Sequence, residues 1–324
     1  LRQVAAIPVL FFYLLLVAGP LQAASNESRV TLTLGTGLAS DGFLSFGQEL
    51  ADVINASETG LKVQVQDTLN SRQNLQLLGE GKLDLALVEG NIAHELYGGQ
   101  QIPETSLRVV SVLYPMPGVF VVRADSTYRN ITDLKGKAVA LGTINSGMSV
   151  MAEQVLRGMG LDPAKDFKAI TPGHIAEAVA LLQQGKVEAV WGVGVGGDSF
   201  MQLAKVKPGV RFIAPDAQQM KQIMREYPHL KRLSIPPRTY PGQNRQVISL
   251  GLWGQLLVGP QVAEETVFRL AEALHQAKAA LAMRFKHARY TNAKVTVAQV
   301  PMDYIHTGAY RYFNKLGLTQ LVCK

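Results

Sequence analysis

Residues 74–95, with the sequence NLQLLGEGKLDLALVEGNIAHE, are the stretch that decides the fold of this chain. The apolar spacing predicts a helix that ends at Gly79 and Gly81, followed by a strand over residues 83–88. The strand is a nearly continuous apolar run, which is typical of a strand buried on both faces of a parallel sheet. The loop Glu89-Gly90-Asn91 then opens a second helix.

A second copy of this pattern lies at residues 180–197, with the sequence ALLQQGKVEAVWGVGVGG. Three matches align the copies: Leu77-Leu78 with Leu181-Leu182, Gly81-Lys82 with Gly185-Lys186, and Asp84 with Glu188. A unit repeated at this distance predicts two similar α/β lobes. Because ligands bind at the carboxyl ends of the strands in open parallel sheets, two lobes with facing loops predict a cleft between them.

The composition is that of a globular protein. The 324 residues are 47% apolar and 18% charged, which fits one or two domains with a large core. The formal net charge of +7 comes without a dense run of lysine and arginine interleaved with aromatic residues, so no nucleic acid is expected as a partner. Cys323 is the single cysteine, and an internal disulfide is therefore excluded.

Residues 1–23 are predicted to be a signal peptide. Arg2 precedes an apolar run over residues 4–18, and small residues lead to a cleavage point after Ala23. No later apolar run approaches the ~20 residues of a membrane span. We therefore expect export to the periplasm.

Two segments are predicted to connect the lobes. Pro115-Met116-Pro117-Gly118 separates two predicted strands, and residues 236–242 form an extended, proline-rich connector. Two crossings make one lobe discontinuous, so we expect lobe 1 over residues 25–122 plus 245–324 and lobe 2 over residues 123–244. Residues 293–300 are predicted to be extended.

Two glycine-rich loops each lie between a strand and a helix, at residues 35–42 and 142–149. Free backbone N–H groups at such helix starts form a ready anion site. A third loop, residues 192–197, matches GxGxxG and allows a dinucleotide hypothesis, which a short following helix and an exported location weaken. The six histidines show no metal-ligand spacing, and no nucleophile triad is evident, so we expect no catalytic residues, no metal and no cofactor.

Four stretches together resemble the TAXI-type substrate-binding proteins of TRAP transporters. They are residues 74–95, residues 133–137 with Ser146-Gly147 beyond, residues 239–243, and residues 304–317 (YIHTGAYRYFNKLG). The resemblance implies a two-lobed, type II periplasmic-binding-protein fold, in which each lobe is a mainly parallel sheet flanked by helices. It also implies capture of a small organic acid or amino acid and its delivery to an integral-membrane, ion-coupled TRAP transporter subunit.

The chain departs from the family pattern at two carboxylates. Asp41 lies in a loop that usually carries a Gly-Gly-x-Tyr-like sequence, and Glu89 stands where glutamine is common. Two unpaired carboxylates would repel an anionic ligand. They either pair with a base such as Arg72 or accept an amino or cationic group of the ligand.

The candidate ligand contacts are the loop residues at the expected cleft. They are Ser40, Asp41, Phe43, Asn70, Ser71, Glu89, Asn91, Ser146, Gly147 and Met148, with Gly196, Gly197 and Asp198 on the far side. The favoured function is a solute receptor for a transporter. A periplasmic ligand-sensing module for a membrane sensor kinase and an exported dinucleotide-binding enzyme remain as alternatives.

Overall fold

The computed structural model describes residues 29–37, 42–97, 107–193, 195 and 198–319. Ten strands form one continuous, mixed sheet. The strands are β1 (Val30–Gly35), β2 (Leu61–Gln66), β3 (Leu85–Val88), β4 (Arg108–Arg123), β5 (Ala138–Leu141), β6 (Lys168–Ile170), β7 (Ala189–Val193), β8 (Val210–Ile213), β9 (Lys231–Ile235) and β10 (Val247–Val258).

Within the described residues, ten α-helices flank this sheet. They are α1 (Gly42–Asn55), α2 (Ser71–Gly79), α3 (Gly90–Tyr97), α4 (Gly147–Gly158), α5 (Ile175–Gln183), α6 (Asp198–Lys205), α7 (Ala217–Glu226), α8 (Glu264–Arg284), α9 (Ala293–Gln299) and α10 (Thr307–Lys315). None of these helices is both long enough and apolar enough to cross a membrane.

The sheet divides into two lobes with the same plan. In lobe 1, β1 lies between β2 and β3 and runs parallel to both, and β10 joins β3 in the antiparallel sense. In lobe 2, β5 lies between β6 and β7 and runs parallel to both, and β4 joins β7 in the antiparallel sense. Each lobe therefore contains a run of three parallel strands beside one reversed strand, and β8 and β9 add to β4 and β10 respectively in the antiparallel sense.

Strands β4 and β10 join the two lobes. The first part of β4 pairs with β10, and from Gly118 onwards β4 pairs with β7 and β8. Every residue of β4 is buried except its two terminal arginines. The buried apolar residues of both lobes form one continuous core around this pair of strands.

The internal repeat predicted from the sequence is confirmed. Gly81 and Gly185 both have positive φ angles, of 68–69°, and end equivalent helices. The Lys82 amide donates to the Leu77 carbonyl at 2.9 Å, and the Lys186 amide donates to the Leu181 carbonyl at the same distance. The same helix-ending turn therefore precedes β3 and β7.

Two sequence predictions are wrong. The prolines at positions 115 and 117 do not interrupt the chain into two strands, because β4 passes through them unbroken. They lie where the pairing of β4 changes from β10 to β7 and β8, a place where a missing N–H is tolerated.

Residues 293–300 are not extended but form helix α9, whose alternating pattern resembles a strand. The Asn292 side chain caps this helix by accepting from the Val295 amide at 3.1 Å.

The predicted signal peptide, residues 1–23, lies outside the described residues. The division of the chain into lobe 1 and lobe 2 at residues 122–123 and 244–245 stays a prediction. It falls at the end of β4 and just before β10.

Candidate functional site

A cavity of about 140 Å³ lies between the lobes, where the loops that follow β1, β3, β5 and β7 meet. Tyr114 and Met116 of the crossing strand β4 form its back. A benzene-sized molecule fills a cavity of about 150 Å³, so this space suits a solute of that size.

Five helices begin at the cavity: α1, α2, α4, α5 and α6. In the described part of the chain, three of them show a side-chain cap. Asn70 accepts from the Gln73 amide at 3.0 Å, Ser146 from the Ser149 amide at 3.2 Å, and His174 from the Glu177 amide at 3.1 Å. Because a helix N-terminus carries a partial positive charge, this arrangement favours an anion in the cavity.

A hydrogen-bonded contact at Gly147 closes one side of the cavity. Glu89 Oε2 in lobe 1 accepts from the Gly147 amide of α4 in lobe 2 at 2.7 Å. Asn91 Nδ2 donates to the Gly147 carbonyl, also at 2.7 Å. A Cβ atom at position 147 would lie within 2.6 Å of both side chains, so only glycine fits there. These contacts hold the two lobes together beside the cavity.

Trp191, in the middle of β7, forms an apolar wall of the cavity. Its side chain is fully buried and packs edge to face on Phe120, with 5.0 Å between the ring centroids. A Cβ atom at Gly118 would lie 2.3 Å from the indole ring. The indole is therefore fixed in one position.

A comparison with models of known protein families identifies the family of this chain. Residues 34–317 match the model of the NMT1-like family. The chain belongs to the NMT1-like family. Many solved structures share its fold, including the following two. The periplasmic aliphatic sulphonate binding protein SsuA from Escherichia coli is 22% identical, with a TM-score of 0.51, and the match covers 92% of this chain and 95% of SsuA. Full-length BenM is 11% identical, with a TM-score of 0.51, and the match covers 78% of this chain and 69% of BenM.

These similarities show the fold of the NMT1-like protein, which is the two-lobed fold of periplasmic binding proteins. The fold class expected from the sequence is confirmed. The cavity lies where such a fold places its cleft, between the two lobes at the carboxyl ends of their parallel strands.

The structure brings six of the predicted contact residues to the cavity. They are Phe43, Asn70, Ser71, Glu89, Ser146 and Met148. Asn91 and Gly147 do not line the cavity but bind each other across the two lobes. Ser40, Asp41, Gly196 and Gly197 lie outside the described residues, and Asp198 is the first residue of α6.

Arg72, which the sequence offers as one possible partner for the two carboxylates, has another partner. Its two terminal nitrogens donate to both carboxylate oxygens of Glu95, at 2.8 and 2.9 Å, on an exposed surface. Glu89 is instead held by Gly147, and its own amide donates to Ser71 Oγ at 3.0 Å. Among the described residues that line the cavity there is no lysine or arginine.

Sequence reasoning missed lining residues in both lobes and in the crossing strand β4. The missed residues are Thr36, Gly37, Gly42, Leu69, Tyr114, Met116, Gly142, Thr143, Ile144, Gly173, His174, Ile175, Trp191, Gly192, Val195, Ser199 and Phe200. The internal repeat contained the signal for some of them. His174 caps α5 as Asn70 caps α2. Each cap lies the same number of residues before the glycine of the repeated helix-ending turn.

A second hollow of the NMT1-like protein, of about 460 Å³, lies beside β10. There the ring of His94, on α3, stacks on the ring of His229 with 4.8 Å between centroids. His229 also hydrogen-bonds Gln154 of α4 at 3.1 Å, so the pair joins helices of the two lobes. Burial, the neighbouring His94 and Lys231 together lower the pKa of His229 to about 4.

Proposed function

We propose that the protein is an extracytoplasmic solute receptor, which binds a small organic solute between its lobes and delivers it to a membrane transporter. The observation that carries this proposal is the cavity at the lobe junction, ringed by five helix N-termini and closed by contacts from both lobes. A ligand that touches both lobes stabilises the closed form over the open one. That difference in shape is what a transporter can recognise.

Family membership and fold support the same function. In the similar structure of SsuA from Escherichia coli, the protein is described as periplasmic and as binding aliphatic sulphonates. A periplasmic location for the present chain agrees with the signal peptide expected at residues 1–23. The four TAXI-like stretches favour a TRAP-type, ion-coupled transporter as the partner.

The enzyme alternative is weakened by the size of the cavity. A space that suits a benzene-sized molecule has no room for a dinucleotide. In the GxGxxG match, Gly192 has a packing role. A Cβ atom there would lie 2.6 Å from the ring of Phe200, so the glycine lets α6 approach β7. We therefore propose binding without chemistry.

Thermal unfolding of the purified mature chain tests the receptor function. The panel should cover amino acids, monocarboxylates, dicarboxylates, sulfonates and amines. One chemical class should raise the melting temperature by several degrees, because ligand at a hundred times its Kd stabilises the fold by about 2.7 kcal/mol. A panel that leaves the melting temperature unchanged throughout would count against a receptor.

The partner needs its own test. Uptake of the labelled ligand into vesicles that contain a TRAP-type membrane subunit should require both this protein and an ion gradient. Uptake driven by ATP hydrolysis would replace the TRAP partner with an ATP-driven one. A ligand that stimulates a sensor kinase and no uptake would favour the sensing module.

A further inference from the structure

Two apolar side chains lie in solvent at the mouth of the cavity, one from each lobe. Leu69, in the loop after β2, is 59% exposed, and Ile144, in the loop after β5, is 58% exposed, although both line the cavity. Singly exposed apolar residues are common on proteins and need no explanation. Two that flank one opening from different lobes are less ordinary, and together they form an apolar rim.

The rest of the described mouth carries no charged group that could hold a second ionic end of a solute. Apart from the rim, the exposed residues of the described lining are Gly173 and His174. The His174 ring uses its Nδ1 to cap α5, where it accepts from the Glu177 amide. An uncharged, aliphatic segment therefore suits this opening better than a carboxylate or an ammonium group.

The backbone beside the rim is held in place before a solute arrives. The Leu69 amide donates to Gln73 Oε1 at 2.7 Å, and the Ile144 amide donates to the Pro172 carbonyl at 3.0 Å. A surface fixed in this way contacts a ligand with little further loss of backbone entropy.

The rim stays exposed although the lobes already touch. Gly147 joins them beside the cavity through hydrogen bonds of 2.7 Å with Glu89 and with Asn91. In this arrangement more than half of each rim side chain is still in water. Because removing apolar surface from water is favourable, the rim offers binding energy to a solute that bridges it.

Polar lining groups of lobe 1 lie in the buried part of the cavity. Thr36, Ser71 and Glu89 all line it and are buried, and the apolar side chains of Phe43 and Met116 share that part. A polar head is therefore satisfied inside, and an apolar tail is satisfied at the rim. The space of about 140 Å³ holds only a benzene-sized group, so a longer chain must leave through the mouth.

We infer that the solute is an amphiphile, whose polar head lies inside the cavity and whose aliphatic tail passes out between Leu69 and Ile144. The rim selects for solutes longer than the cavity, because each methylene that contacts it leaves water. This inference rests on the proposed receptor function and names the solute class.

A series of unbranched ligands tests the effect of chain length. The probes are the four-carbon to eight-carbon alkanoates, with the matching alkanesulfonates and alkylamines, titrated calorimetrically into the mature protein. Butanoate is about the size of benzene and stays inside, whereas octanoate reaches the rim. In a series whose head group binds, the eight-carbon member should bind at least tenfold more tightly than the four-carbon member, with one molecule per chain, because a fully buried methylene contributes about fourfold.

Variants of the rim test where the tail lies. Leu69→Ser and Ile144→Ser should each weaken the eight-carbon ligand more than the four-carbon ligand, so that the tenfold preference falls to about threefold. Met283→Ser, on α8 and outside the cavity lining, is the matched control because its side chain is 82% exposed, and it should keep the full preference. Since all three side chains are exposed, these substitutions leave the folded core intact.

Equal binding of the short and long members would overturn the inference, and so would a preference for length that both rim variants leave intact. Rim variants that weaken short and long ligands equally would also overturn it, because the rim would then cover a small solute. In each case the receptor function stands, since a solute still binds. If these series fail and the wider panel yields a solute without a tail, the inference fails alone. If neither yields a ligand, both proposals fail.

Discussion

Asn74 joins the two strands that support the lobe 1 side of the cavity. Its side chain is fully buried, and Nδ2 donates to the carbonyls of Thr36 and Leu87, each at 2.8 Å. Thr36 follows β1 and lines the cavity, and Leu87 lies near the end of β3. One amide group therefore fixes the spacing of two loops that face the ligand.

Asn74→Ala should lower the free energy of unfolding by about 2–3 kcal/mol, because it leaves two buried carbonyls without a donor. Urea denaturation measures this value. Gln76→Ala is a suitable control, since Gln76 lies on the exposed face of the same helix and hydrogen-bonds Glu80 in solvent. The control should change stability by less than about 0.5 kcal/mol. Equal effects of the two substitutions would contradict the role given to Asn74.

At the scale of single elements, the repeated turn after α2 and α5 depends on glycine for its backbone conformation. Gly81 has a φ of +69°, and a Cβ atom there would have no neighbour within 4 Å. Gly185 has a φ of +68° and is nearly as open, with its first neighbour at 3.7 Å. The cost of a side chain at these positions is therefore conformational and not steric.

Gly81→Ala and Gly185→Ala should each destabilise the protein by about 1–2 kcal/mol. Gly79→Ala, two residues before Gly81, provides a matched control because its position is helical and equally open. That substitution should leave stability unchanged or raise it by about 0.5–1 kcal/mol. Chemical denaturation of the three variants gives the comparison, and a destabilised Gly79→Ala variant would argue against a conformational cause.

The elements show why some of the fold could be predicted and some could not. The turn at Gly81 and Gly185 is local, and its residues repeat, so the sequence revealed both lobes. Helix α9 was misassigned because its alternating residues resemble a strand, and tertiary contacts decide such ambiguous segments. Strand β9 was missed because most of its residues are not buried, which leaves no hydrophobic pattern to detect.

The site was predictable where a loop follows a strand and not where a strand passes behind the cavity. Ser71 begins α2 and Glu89 follows β3, and both lie next to loops that the sequence marks clearly. Tyr114 and Met116 belong to a continuous strand, and their place in the lining depends on how the lobes fold together. Trp191 lies in an apolar run that fits an ordinary core strand equally well, and its place in the lining becomes visible only in three dimensions.

At the scale of the whole molecule, the stacked histidines make the junction of the lobes sensitive to acid. Burial and Lys231 lower the pKa of His94, and Glu95 opposes this effect. The pKa of His229 falls to about 4. The ring of Tyr227 packs edge-on against His229, and the side-chain amide of Gln154 forms a hydrogen bond with it. The folded protein therefore holds both rings neutral near pH 7.

Stability should fall as the pH falls from about 6.5 towards 4. In that window the unfolded chain takes up protons on these histidines and the folded chain does not, whereas above pH 6.5 the full stability is present. His229→Gln should reduce the loss between pH 7 and 4.5 by roughly 1–2 kcal/mol, after allowance for the partial exposure of the ring. Unfolding free energies at the two pH values give the measurement.

Because His287 and His306 also have lowered pKa values through burial, the variant should keep part of the pH dependence. His275→Gln, on α8 against Tyr312, removes a histidine outside the stacked pair and serves as the control. A His229→Gln curve that matches the control would mean that the stacked pair is not responsible.

Because β4 passes through both lobes, the protein cannot be cut into two fragments at the lobe boundary without removing a strand from one of them. A fragment cut after residue 123 would leave lobe 2 without its reversed strand, and the bare edge of β7 would invite aggregation. A stable version of that half must carry residues 118–123 on its own polypeptide. Likewise, one residue inserted into β4 near Gly118 would move every later side chain of that strand to the opposite face of the sheet.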